Sequence, residues 1–274
     1  MSSSFEMKTG VRAVIFDVSG TVIDYGSRGP VVAFVELFAN HGVTVSEQEV
    51  RRPMGAHKKD HLWAMLTEPA ICERWVKANG EQPTREMLEK LYEEMPAMMK
   101  EAVKHHSDVI PGVSGVVQEL RSRGIKIANT TGFDADMMHD LKKQAAEEGY
   151  SPDCWVTPDL VGEGRPFPWM AFYAARHLGA FPVSTFVKVG DTKIDVAEGH
   201  NAGMWTVSIV RTGNEVGLSK EQLESLLPQE RDSLIAGARK RLEATHPHYI
   251  IDAVADLMPV IDEISARIDK GERP

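Results

Sequence analysis

The sequence predicts an α/β fold: a doubly wound, mainly parallel Rossmann-like core with an inserted all-helical cap domain. Three observations predict it. An apolar run, Val14, Ile15 and Phe16, delivers Asp17 at its end, and Ser19 and Gly20 then turn the chain. From Ile110 onward, short apolar runs alternate with helical runs, the pattern of parallel strands joined by crossover helices. Between these two regions lies a long stretch with helical periodicity alone. The expected boundaries are 1–25 and 106–274 for the core and 26–105 for the cap.

Each element has a local reason. The stretch VRAVIFDVSGTVID carries the first strand, Asp17 and the hydroxyl of Thr21. In PVVAFVELFANHG, Val31, Phe34, Val35, Leu37 and Phe38 recur at helical spacing, and Gly42 supplies a stop. Ser46 followed by Glu49 reads as a capping box. Pro53 and Gly55 interrupt the next helix and set Met54, Lys58 and His61 near a helix start. Thr84 opens REMLEKLYEEM, which Pro96 is expected to end or kink. In the core, strands over 125–131, 154–157, 186–191 and 205–210 alternate with helices over 113–123, 134–148, 168–178 and 195–202. Residues 215–246 read as a charged helical excursion, after which a short apolar run, YII, leads to a last helix.

Composition narrows the function classes. An apolar content of 42% and a charged content of 26% are those of an ordinary globular protein. A net charge of -9 argues against a general grip on nucleic acid, so an anionic substrate needs a local positive site. No apolar run reaches the roughly 18 to 20 residues that span a bilayer. The polar start MSSSFEMKTG has no secretory run, and Cys72 and Cys154 make neither a disulfide framework nor a zinc pattern. The expected compartment is the cytoplasm, with no nucleic-acid or membrane partner.

Polar residues then gather where ligands bind in an open parallel sheet, beyond the carboxyl ends of the strands. Asp17 follows the first strand; IKIANTTG ends at Thr131 and Gly132; GEGRPFPWM carries Arg165; FVKVGDTKID ends at Asp191, with Asp195 four residues on. Carboxylates for a hard cation, a hydroxyl and a guanidinium together suit phosphoryl chemistry with magnesium. Asp17 as a turn residue and Asp195 as a helix cap are the plain alternatives.

The pieces DVSGT, TTG, GRP and GDTKID, in this order around a helical insertion, resemble the motif set of the haloacid dehalogenase superfamily. The resemblance implies that Asp17 attacks phosphorus and that Thr131, Gly132 and Arg165 bind the phosphoryl group. It also implies that magnesium is held by Asp17, the backbone carbonyl of Ser19 and Asp191. Phosphatases of the superfamily carry a second Asp, a general acid, where this chain has Ser19. The cap stretch RRPMGAHKKDH resembles the P-M-G-x-x-K-x-D-H motif of the phosphonoacetaldehyde hydrolase family, and DYG, GRPFPWM, VKVGDT and NAGMWTV extend the likeness along the chain. Lys58 is then the Schiff-base lysine, His61 moves protons, and Met54 with Gly55 shapes the wall. A homodimer made through the cap is also implied. Two positions depart from the family: Ser19 replaces a small Ala, and Phe133 replaces a phenolic residue.

The chemistry is coherent with Ser19. Cleaving a carbon–phosphorus bond leaves a carbanion, and a protonated imine on Lys58 takes up its electrons as a neutral enamine. No acid is then needed at Ser19. Competing readings are a phosphomonoesterase or phosphomutase of the same superfamily, and a catalytically silent phosphate-binding protein. At the residue level, Lys58 with Lys59 as a solvated pair, His61 as a structural hydrogen-bonder and Met54 as core remain the bland alternatives. Arg51 and Arg52 read as a solvated face, and the two cysteines as idle thiols.

Overall fold

The computed structural model describes residues 10–103 and 105–274; all but the last residue of the polar start lies outside them. The element order is β1 (Ala13–Phe16), five helices, α1 (Arg28–Asn40), α2 (Glu47–Arg51), α3 (Lys58–Leu66), α4 (Pro69–Asn79) and α5 (Arg85–Val103), and then the rest of the α/β core. That remainder runs α6 (Val113–Ser122), β2 (Lys126–Thr130), α7 (Ala135–Glu147), β3 (Cys154–Val156), α8 (Trp169–Leu178), β4 (Phe186–Gly190) and α9 (Lys193–Ala202). It ends with β5 (Trp205–Ile209), α10 (Lys220–Ser225), α11 (Pro228–Glu243), β6 (Tyr249–Ile251) and α12 (Leu257–Asp269).

The strands form one sheet in the order β3-β2-β1-β4-β5-β6, and every pairing is parallel. All four residues of β1 are buried, because helices cover both faces of the sheet and leave no solvated side for alternation. The chain fills one side of β1 with β2 and β3, then crosses to β4 on the other side. The ends of β1 and β4 therefore flank the topological switch point, where a crevice opens. Asp17 follows β1 and Asp191 follows β4.

The five helices after β1 pack on one another, and their apolar residues are continuous with the core beneath. Phe34, Leu37 and Phe38 of α1 face Leu88, Leu91, Met95 and Met99 of α5, and Trp75 of α4 closes on Phe38 edge to face at 6.0 Å. Ser46 and Glu49 form the expected capping box at α2. Pro96 lies inside α5, so of the two expected outcomes, an end or a kink, it is not the end. Its fixed φ suits a helix, and the missing bond to the carbonyl four residues back is offset by the buried stripe that α5 lays on α1.

Arg51 is a correction. It is not on a solvated face but reaches into the core, donating to the carbonyls of Gly26 (2.9 Å), Ser27 (3.3 Å) and Gly217 (2.9 Å) and to Asn214 Oδ1 (3.2 Å). The guanidinium fork suits such a ring of acceptors, which loops leave unpaired. Arg52 does remain exposed, near Glu68. Among the described residues, no helix is long and apolar enough to cross a membrane.

A buried polar strut ties β1 to β2. Asn129 Nδ2 donates to the carbonyls of Phe16 and Asp17, each at 3.2 Å, and Tyr150 donates to Asn129 Oδ1 at 2.6 Å. Asn129→Ala would remove all three of these buried bonds. It is expected to lower stability by about 2 to 4 kcal/mol, read from the midpoint of urea unfolding; an unchanged midpoint would show that the strut is dispensable.

Candidate active site

The sheet brings four sequence segments to one edge, and charge organises them. Arg165 Nη2 lies 2.8 Å from Asp17 Oδ1, and Arg165 Nη1 also bonds Asp195. Behind them, Lys188 in the middle of β4 contacts Asp195 at 3.1 Å and Glu198 at 2.8 Å and donates to Thr130 Oγ1 at 2.7 Å. Thr130 in turn donates to Glu198 at 2.8 Å. All these groups are buried. Asp191 accepts from the Asn214 backbone N–H at 2.7 Å and from Thr21 Oγ1 at 3.3 Å.

Oxygen atoms of Asp17, Asp191 and Asp195 lie within 4.8 Å of one another, an arrangement that could hold a metal ion. Among the described residues, the direct ion pairs of these three carboxylates and of the buried Glu198 are with Arg165 and Lys188 alone, while the charge of Lys58 acts on Asp17 and Asp191 and that of Arg51 on Asp191. Burial, and then the charge of Asp195, raises the Asp17 carboxyl above its ordinary range despite Arg165. Burial and the neighbouring Asp17 and Asp195 push Asp191 well above it. Asp195 is the exception: burial would raise it, but Arg165 and Lys188 hold it low. Its other oxygen accepts from the Thr192 hydroxyl and backbone N–H, completing the capping box of α9. The capping role left open for Asp195 is thus present, and Asp17 with Asp191 is the less neutralised pair. An all-oxygen donor set of clustered, buried carboxylates fits a hard divalent cation.

The helical insertion closes this edge from above. Lys58 opens α3 and its backbone N–H donates to the Gly132 carbonyl at 3.0 Å. Both glycines of the predicted set are required by close approach: a Cβ on Gly132 would strike the Ala56 carbonyl, and Gly55, at φ +94, faces Thr192 Oγ1 with no room for one. Lys58 is buried, its ammonium 4.6 Å from the centroid of the Phe133 ring. Burial, reinforced by the charge of Arg165, lowers it to about 8. Phe133 therefore gives the lysine an aromatic face in place of a hydroxyl.

Asp17, Ser19, Met54, Gly55, Lys58, Thr131, Gly132 and Arg165 line one cavity of about 10 Å³. Asp191 and His61 are not part of that lining. Ser19 Oγ donates to Asp24 Oδ2 at 2.5 Å, so its side chain serves the turn. His61 stacks on Phe34 with centroids 4.0 Å apart. Its Nε2 donates to the Val50 carbonyl at 2.8 Å, leaving Nδ1 without a partner. Burial and the charge of Lys58 hold its pKa well below the ordinary histidine range.

A family model described as haloacid dehalogenase-like hydrolase matches residues 11–203. The phosphonoacetaldehyde hydrolase of Nitratidesulfovibrio vulgaris is 39% identical over 264 residues, covering 96% of this chain and 94% of that protein. The chain belongs to the phosphonoacetaldehyde hydrolase family of haloacid dehalogenase-like hydrolases. A second relative with the same name, from Bacillus cereus, is 40% identical over 254 residues and covers 93% of this chain and 96% of its own length. A solved structure described as a phosphonoacetaldehyde hydrolase like protein, from Oleispira antarctica, superposes with a TM-score of 0.95 at 38% identity, covering 100% of this chain and 99% of that one.

In this member of the family, sequence reasoning missed Lys188, Glu198 and Thr130. The signal was a lysine inside the apolar run FVKVG: a charge in a central parallel strand is buried and must be paired.

Because Asp17 and Asp191 are raised, binding of a divalent cation is expected to expel protons, and apparent affinity should fall as pH drops through their raised range. Calorimetry at about pH 6 in two buffers of different ionisation enthalpy measures this. A heat independent of buffer would contradict the account of the paired carboxylates.

Proposed function

We propose that this protein hydrolyses the carbon–phosphorus bond of phosphonoacetaldehyde to acetaldehyde and phosphate. The observation that carries the reading is a buried lysine lowered to about 8, lining the same small cavity as a buried carboxylate paired with an arginine. An aldehyde joined to a phosphonate meets an amine and a carboxylate nucleophile together there.

Neutral Lys58 Nζ adds to the aldehyde carbon, and loss of water gives a protonated imine. The Asp17 carboxylate then attacks phosphorus while the carbon–phosphorus pair flows into the imine, leaving an enamine on Lys58 and an acyl phosphate on Asp17. Protonation of the enamine carbon and hydrolysis of the imine release acetaldehyde, and a second water releases phosphate. Arg165, Thr131 and Gly132 hold the phosphoryl oxygens, and Met54 with Gly55 confines the aldehyde carbons. His61 Nδ1, one turn from Lys58, is the acceptor we assign to proton movement during imine formation. Magnesium belongs to this reading, held by Asp17, the Ser19 carbonyl and Asp191; what it supplies when bound is relief of repulsion between the nucleophile and the phosphoryl group.

The same reading takes 26–105 as the cap, places the reaction in the cytoplasm and has the protein act as a homodimer. The free thiols Cys72 and Cys154 are in keeping with a reducing compartment. Apolar surface for a dimer is richer on the core than on the cap, where the resemblance puts it: Phe167, Trp169, Phe172 and Tyr173 are all exposed around α8, against Val32 among the cap helices.

Phosphate and acetaldehyde should appear in equal amounts from phosphonoacetaldehyde, with little phosphate from an aryl phosphate run beside it. Borohydride added with the substrate is expected to trap the two-carbon skeleton on Lys58. Lys58→Arg should be inactive, because a guanidinium forms no imine. Lys59→Arg should be nearly normal, since Lys59 points outward to Glu89 at 2.6 Å. Trapping should speed up as pH rises through about 8, where the free amine comes to dominate, rather than near the ordinary 10.4. Mass spectrometry locating the label on Lys59, or full activity in Lys58→Arg, would sink this mechanism.

A further inference from the structure

The loop after β2 grips three consecutive residues of the insertion. Gly132 packs against the Ala56 carbonyl and accepts the backbone N–H of Lys58; Phe133 lies under the Lys58 ammonium; and Asp134 Oδ1 stands 3.0 Å from His57 Nε2. Tyr92 of α5 completes the last contact. Its hydroxyl is 3.0 Å from His57 Nε2 and donates to the other oxygen of Asp134.

Asp134 occupies the N-cap of α7, where an aspartate ordinarily accepts a backbone N–H of its own helix. Here it makes no such bond. Its carboxylate is turned to His57 and Tyr92, while the N–H of Ala135, the first helical residue, donates to Asp159 Oδ1 at 3.2 Å. His57 likewise stands at the N-cap of α3 without capping it. Two capping positions thus face one another across the interface, one residue away from Phe133 and Lys58. The pair is mostly shielded from water, with side-chain exposures of 19% and 23%.

We propose that His57 and Asp134 are positioning residues for Lys58, with Tyr92 as their brace. Their bond fixes the first turn of α3 in register with the loop that carries Thr131 and Gly132. The amine and the phosphoryl-binding groups then share one frame, and the separation between imine carbon and phosphorus is set by that frame. Neither residue touches the substrate. The inference rests on the reading of Lys58 as the imine-forming lysine.

Asp134→Ser tests it, because serine is a residue well suited to an N-cap but is too short to reach His57. Borohydride trapping of saturating phosphonoacetaldehyde on Lys58 is expected to slow about ten- to a hundredfold, the scale of a small misplacement of a reacting group. Affinity for inorganic phosphate and the thermal midpoint should stay near those of the wild type, since Arg165 and Thr131 are untouched. His57→Leu should match Asp134→Ser, the double variant should be no slower than either, and His57→Gln, which keeps a donor, should recover part of the rate. Undiminished trapping in Asp134→Ser, additive losses in the double variant, or a loss that tracks a lowered midpoint and weakened phosphate binding would each overturn the positioning role. A wild type that is never trapped would overturn the Lys58 reading as well, so the two failures are distinct.

Discussion

The site depends on keeping the Asp17 carboxylate ionised inside the protein. It is held by a chain of alternating charge, Asp17 to Arg165 to Asp195 to Lys188 to Glu198, that runs from the end of β1 through β4 to α9. A lone buried charge is costly, and breaking one buried pair typically destabilises by roughly 3 to 5 kcal/mol because its partner is stranded. The chain therefore cannot be shortened at either end without disturbing its neighbours. Asp195 shows the economy of the arrangement: one of its oxygens serves Arg165 and Lys188, and the other caps the helix that carries Glu198. Folding of α9 and placement of the guanidinium beside Asp17 are the same event.

Much of this was legible because it is local. The strand ending in Asp17, the capping box at Ser46, the turn at Pro53 and Gly55, and the alternation after Ile110 are all properties of neighbouring residues. What was not legible depends on partners far along the chain. Arg51 looks like half of a basic pair until Gly217 and Asn214 come to it from beyond β5. Asp134 looks like a helix cap, and only the insertion gives it another task. Pro96 would destabilise an isolated helix, but α5 continues through it and packs along α1, which no local propensity contains.

The two departures from the family motifs have different characters. Ser19 sits where a phosphatase has its acid, yet its hydroxyl is committed to Asp24, itself raised to about 6 by burial. The turn that shapes the start of the site has absorbed the position. Phe133 removes a hydroxyl but gives a flat electron-rich surface to a cation whose charge is already disfavoured by burial. The lysine thus sits between two pulls, the ring stabilising its ammonium and the apolar enclosure favouring the free amine.

The cavity of about 10 Å³ leaves room for roughly one water molecule, far less than a phosphonate with an aldehyde arm. Met54 and Thr192 line it and also line a neighbouring cleft of about 750 Å³. A substrate larger than the cavity enters only if the lining residues shift. Gly132, Asp134 and Gly217 are where the insertion is tied to the core around that cavity. On the proposed reading, admitting the substrate and enclosing the reacting groups would therefore call for different arrangements of the same lining.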